Sequence, residues 1–183
     1  MVKVGFRLKQ WKELFSVLQV GTQVVYGIHG VCCIIDSEIR TVDRKNVEYF
    51  VLEPREQPGA RFYVPSNNQA ALAKLRPLIT PEELDALLIS EEANQDCWVP
   101  VENLRKQKYR ELINCVDRAA LISMVRVLQR HRESQLAAGR KFHLCDENFL
   151  RDAQKMLTSE FSMVLGIPQT EVKAYIENKL RKS

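Results

Sequence analysis

Val24-Val25-Tyr26-Gly27-Ile28-His29-Gly30 is the stretch that decides how this chain folds. Gly27 and Gly30 bracket a turn, because glycine reaches backbone angles that a Cβ forbids. The turn follows a β-branched pair and leads into Val31 to Ile39, a run with β-branched and apolar residues that meets the charged Arg40. Asp43 to Asn46 is polar and fits a hairpin loop. Beyond it, Tyr49 with Val51 and Phe62 with Val64 repeat at the two-residue spacing of half-buried strands. Pro65 closes the last strand, since proline offers no N–H to a ladder. Residues 17–75 therefore read as a small β-barrel.

Helical signals take over downstream. Ser66-Asn67-Asn68 starts a short helix through Lys74. Thr80-Pro81-Glu82-Glu83 is a stronger start, with a capping threonine, proline at the first helical position and Glu83 where a capping box needs it. Leu84, Leu87 and Leu88 follow as an apolar stripe, and the acidic Ser90 to Asp96 reads as a linker, so 76–96 is helix and linker. Residues 97–183 read as a helical bundle. Pro100 opens a helix carrying Leu104, Tyr109 and Leu112, and Asp117 caps one carrying Leu121, Val125 and Leu128. Ala137-Ala138-Gly139 breaks that helix. Asp146 caps a third, with Phe149, Leu150, Ala153, Met156, Leu157 and Phe161 on its apolar face. Gly166 ends it, and Pro168 starts a last helix with Val172, Tyr175, Ile176 and Leu180. Short amphipathic helices are marginal alone, so this half must be held by packing. The fold class is thus α+β, a small barrel followed by an all-α bundle.

The 183 residues allow one domain or two small ones. With 45% apolar and 27% charged residues, both halves can build cores. Apolar runs are too short to span a bilayer. Five cysteines without a paired framework or secretory leader point to reduced thiols and a cytoplasmic protein, with a monomer as the default. The net charge of +4 is unevenly spread. Residues 1–96 carry 11 basic and 13 acidic residues, residues 97–183 carry 16 and 10, and the window 105–141 carries 10 and 3. That asymmetry suggests a polyanionic partner for the second half; the alternative is a solvated helical surface. Residues 1–16 are basic and mildly apolar, either an amphipathic helix or an extension upstream of a start at Val17.

Catalytic and metal chemistry find little support. His29, His131 and His143 do not combine with the cysteines at zinc-ligand spacing. His29 fits a role in ordering the turn by hydrogen bonding. Cys32 and Cys33 are neighbours on a strand, so one of them faces the core. Neither a phosphate-binding glycine loop nor a nucleophile elbow occurs, and the pairs Glu82-Glu83 and Glu91-Glu92 are explained by capping and solvation. The reading is of a non-enzyme without cofactor or metal.

The order V-V-Y-x-x-H-G turn, long strand, Tyr49-Phe50-Val51-Leu52 strand and Val64-Pro65 exit resembles the RNA polymerase-interacting domain of CarD/CdnL-type bacterial transcription regulators and transcription-repair coupling factors. The resemblance runs from about Val20 to Arg76 and continues weakly through the helical half, which favours the CarD type. Gly27 stands where relatives usually have proline, and Cys32 where many have glycine. The resemblance implies a Tudor-like barrel that contacts a lobe of the polymerase beta subunit. An edge strand would pair with the partner's sheet, with Arg40, Thr41, Arg61, Phe62 and Tyr63 as contacts. Many relatives carry a basic residue near the position of Tyr63, and alternation makes one of Phe62 and Tyr63 a core residue.

It also implies promoter DNA as a second partner, bound nonspecifically in the minor groove at the edge of the melted bubble. A tryptophan wedges into a base step there, usually just before an arginine-rich R-Y-K-like segment. Lys108-Tyr109-Arg110 resembles that segment, and Trp98 lies 11 residues before Tyr109, a wider gap than is usual. Trp98 is the candidate wedge; the alternative is an indole sealing an interface between domains. Arg105, Lys106, Lys108 and Arg110 form the candidate phosphate-binding cluster, with Arg126, Arg130, Arg140 and Lys141 widening it. The expected function is stabilisation of the open promoter complex. The second hypothesis is a protein–protein adaptor. An RNA-binding barrel fits poorly, because its half is net acidic and its aromatics are not interleaved with bases.

Overall fold

A computed structural model describes residues 18–115 and 117–182 and divides the chain into two units, one ending at Leu78 and the other starting at Ile79. The expectations for residues 1–16 and for a start at Val17 lie outside the described residues.

The first unit is a five-stranded antiparallel sheet: β1 (Gln23–Tyr26), β2 (Val31–Val42), β3 (Lys45–Pro54), β4 (Phe62–Pro65) and β5 (Leu75–Pro77). Its order is β4-β3-β2-β1-β5. The α+β class holds, but the expected Tudor-like barrel is not found. The sheet is not closed: among the described residues β4 pairs only with β3 and β5 only with β1. A short 3-10 turn at Gly27–His29 links β1 to β2, where the sequence placed a turn. Gly30 ends it at φ 73° and ψ −148°, a conformation that only glycine adopts without strain. Asp43 and Arg44, both at positive φ, form a two-residue hairpin turn whose twist matches that of the flanking strands. Cys32, Ile34, Phe50, Leu52 and Val64 share one sheet face, and α1 (Gln69–Leu72) adds Leu72 to that core. Of the adjacent cysteines, Cys32 is the one in the core, where burial first and Cys33 second push its thiol up to about 12.

The second unit is helical: α2 (Pro81–Ile89), α3 (Glu91–Asn94), α4 (Glu102–Cys115), α5 (Arg118–Ala137), α6 (Leu144–Leu165) and α7 (Gln169–Lys182). Its start is written in capping chemistry. The Glu83 N–H donates to the Thr80 hydroxyl at 3.2 Å, and the Thr80 N–H donates to the Glu83 carboxylate at 3.0 Å. Asp117 caps α5, and Gly166, at φ 64°, ends α6 in the left-handed region. Two expectations fail. Ser90 to Asp96 is not a linker: Ser90 caps α3, and Ala93 is fully buried where α3 packs on α5. Asp146 is not the cap of α6. Helix α6 begins two residues earlier, and Asp146 points into the interior.

Leu84, Leu88, Tyr109, Leu121, Met124, Leu128, Leu150, Met156 and Phe161 make the core of this unit. At its edge Glu160, 0% exposed, accepts from the Arg118 guanidinium at 2.6 and 3.0 Å and from the Ile79 N–H at 3.2 Å. No described helix is long and apolar enough to cross a membrane.

Candidate interaction surfaces

The distal part of the β2–β3 hairpin stands beyond the rest of the sheet. Strand β1 pairs with β2 only as far as Cys33, and Ile34 exchanges its last backbone bonds with Gly21 and Thr22. A bulge follows between Ile34 and Asp36, with Ile35 the extra residue. From there to Val42 the outer edge of β2 has no partner strand among the described residues.

Which backbone groups that edge offers follows from the turn. Val42 and Lys45 flank a two-residue turn, so theirs is a hydrogen-bonded pair. Alternation along an antiparallel ladder then makes Arg40–Val47 and Glu38–Tyr49 hydrogen-bonded pairs. Thr41–Asn46, Ile39–Glu48 and Ser37–Phe50 are the pairs between them, and their N–H and C=O groups point outward. Two contacts agree. The outward carbonyl of Glu48 accepts from the Ser66 N–H at 2.9 Å, and the outward N–H of Ser37 is capped by the Asp36 carboxylate at 2.8 Å. Ile39 and Thr41 are left with their outward backbone groups at an open edge, and the Ile39 side chain is 74% exposed beside it.

The other face of this ribbon carries an ordered cation. Arg40 donates to Glu38 at 2.8 and 3.0 Å, and its guanidinium lies 3.9 Å from the centroid of the exposed Tyr63 ring and 5.8 Å from that of Tyr49. Hydrogen bonding to Glu38 raises the Arg40 pKa, so the charge is permanent. Arg40 and Thr41 are inside β2 rather than past its end, because the turn takes only two residues. The Thr41 hydroxyl hydrogen-bonds Asn46 across the ladder at 3.0 Å. Arg61 is exposed just before β4. The Phe62 ring is half-buried: it packs against the core, 4.1 Å from the His29 ring centroid and 6.0 Å from that of Tyr26.

Residues 18–79 match the family of the CarD-like/TRCF RID domain. This segment is a RID domain. The RID family consists of non-enzymatic domains that interact with RNA polymerase. The match ends where the helical unit begins. No curated protein matches the chain.

In the helical unit the sequence candidates converge on Trp98. Its backbone N–H donates to Asp96 at 2.8 Å, and the same carboxylate lies 4.0 Å from Arg130. The half-buried indole carries His131 at 3.9 Å between ring centroids and the Arg105 guanidinium at 4.6 Å, and Phe142 lies 6.1 Å beyond His131. Its packing is against the core of its own unit. Lys108 reaches the Cys97 carbonyl at 3.5 Å, on the same side of α4.

Arg105 is the clearest correction. It is 4% exposed and cannot meet a phosphate. Its Nε and Nη2 donate to both oxygens of Asp146 at 3.0 and 2.9 Å, and Nη1 donates to the Val99 and Pro100 carbonyls. His131 and Asp146 are the residues that sequence reasoning missed here. A signal existed for His131, which continues the Leu121, Met124, Leu128 stripe at helical spacing.

The basic residues are otherwise scattered. Two positions on a helix differ by about 200°, so Lys108 and Arg110 lie on opposite flanks of α4. Lys106 shares the Arg110 flank and pairs with Glu102 at 2.5 Å. Arg126 is half-buried against Asn94. Arg110, Arg140 and Lys141 are exposed and make no ion pair among the described residues. The unit boundary also changes the charge argument. Residues 79–96 hold six acids and no base, and they belong to the helical unit, which therefore has 16 basic and 16 acidic residues. Residues 18–78 carry seven basic and six acidic ones, so the sheet unit is not acidic in its described part. The excess of +6 in residues 97–183 survives as a separation of charge within one unit.

Proposed function

We propose that this protein is a cytoplasmic bacterial transcription regulator that docks on the RNA polymerase beta subunit through the outer edge of β2 and meets promoter DNA with its helical unit. The observation that carries the reading is the open edge at Ile39 and Thr41, flanked by Ile39 on one face and the Arg40–Tyr63 pair on the other, within a RID domain. An added strand gains main-chain hydrogen bonds from the edge and selectivity from the side chains beside it.

On the helical side, Lys108, Arg140 and Lys141 would neutralise phosphates, while the half-buried Trp98 would wedge into a minor-groove step. Such contacts carry no sequence code, so promoter choice is left to the polymerase. Contacts made better in the open complex shift the population toward it, and about 1.4 kcal/mol of difference shifts it tenfold. Joining two weak surfaces in one chain raises the effective concentration of each.

The balance of 16 basic and 16 acidic residues favours a second reading, an adaptor whose helical unit binds protein. Salt separates the two. Three phosphate contacts predict that log K for a duplex falls against log salt with a slope of roughly −3, and the triple alanine variant at Lys108, Arg140 and Lys141 abolishes the slope. An affinity for DNA that is absent at low salt supports the adaptor.

A further inference from the structure

We propose that Arg105, Asp146 and His131 are positioning residues for Trp98, holding its indole in a single pose from which its exposed edge meets DNA; this rests on the reading that Trp98 is a DNA contact. The backbone is pinned on both sides of the tryptophan. Asp96 accepts from the Trp98 N–H, and the Arg105 Nη1 takes the carbonyls of Val99 and Pro100 at 2.9 and 3.2 Å. The ring is held as well, by the guanidinium at 4.6 Å and by the imidazole at 3.9 Å. Asp146 orients the guanidinium through a two-pronged bond, which only the planar fork of arginine makes, so lysine cannot replace it.

A buried ion pair is a poor way to gain stability, since apolar residues of like volume usually do as well or better. This pair instead spends four donor contacts on one side chain and the two residues that follow Trp98. A wedge that is already ordered loses less freedom on binding than a mobile one, so holding the indole strengthens the DNA contact without adding one.

The test is a double-mutant cycle in the full-length protein between Trp98→Ala and the paired swap Arg105→Met with Asp146→Leu, which leaves no lone buried charge. The readouts are duplex DNA affinity, open-complex lifetime with polymerase, and Trp98 emission in a Trp11→Phe background. The expected result is that each change alone shortens the lifetime about tenfold and that the combination is no worse than Trp98→Ala. The paired swap should leave the salt slope unchanged and lower the emission anisotropy of Trp98. Multiplying effects, a salt slope smaller by about one unit, or unchanged anisotropy would overturn the positioning role. If Trp98→Ala changes neither affinity nor lifetime, the reading of Trp98 as a DNA contact fails, and the role built on it fails too.

Discussion

Arg40 lies with its guanidinium over Tyr63 and its hydrogen bonds on Glu38, yet it is exposed and holds no core together. Arg40→Glu should therefore leave the melting temperature within about 2 °C of the parent, while reversing the charge beside the open edge and weakening polymerase binding about tenfold. A variant that melts and binds like the parent would remove Arg40 from the interface. His131 makes the opposite kind of prediction, one about stability and pH. Burial first, then Arg105 and His143, holds its imidazole below the ordinary 6.5, while Asp146 opposes them. The unfolded chain then binds the proton more tightly, so stability is full above about pH 6.5 and falls as pH drops through the lowered folded value. His131→Phe should flatten melting temperature against pH between about 7 and 5; an unchanged slope would show that other groups set it. Single side chains were the least legible part of the sequence. Lys108 and Arg110 look like one cluster in a row of letters and separate only when wound on a helix. Arg105 looks like a phosphate contact until its carboxylate, 41 residues away, is found.

Elements with local chemistry were readable. The Thr80–Glu83 capping box, the Asp117 cap, the Gly27–Gly30 turn and the Gly166 stop are each decided by a few consecutive residues, and each stands where the sequence placed it. Strand β5 and helix α3 were not readable. Leu75–Pro77 is a strand only because β1 lies beside it, and Ser90–Asp96 is polar enough to pass for a linker although Ala93 is packed under it. The hairpin turn offers a test at this scale. Arg44 occupies the left-handed region at φ 62°, where a Cβ is crowded. Arg44→Gly should stabilise the protein by about 1 kcal/mol in denaturant titrations, and a loss of stability would mean that the Arg44 side chain has a structural role.

At the level of the whole chain, the two units divide at Leu78 and Ile79, so the acidic residues 79–96 belong with the basic helices that follow them. A sheet fragment cut at residue 75 loses Arg76 and Pro77, which pair with Val25 and Val24. Fragment 18–78 should unfold cooperatively and at a higher temperature than fragment 17–75; equal melting would show that β5 adds nothing to the sheet. The α+β class and the RID domain were legible because turn and strand motifs are local. The open sheet was not, because closure depends on whether β4 and β5 meet, and no residue pattern states that.

The proposed docking places a strand of RNA polymerase on the outer edge of β2. Amide hydrogen exchange of the full chain, free and saturated with the polymerase beta subunit, tests it at single residues. Ile39 and Thr41 should exchange fast in the free protein and at least tenfold more slowly in the complex, while Glu38, Arg40 and Val42, bonded to β3, are slow in both. Saturated binding that leaves the Ile39 and Thr41 amides fast would contradict docking through this edge.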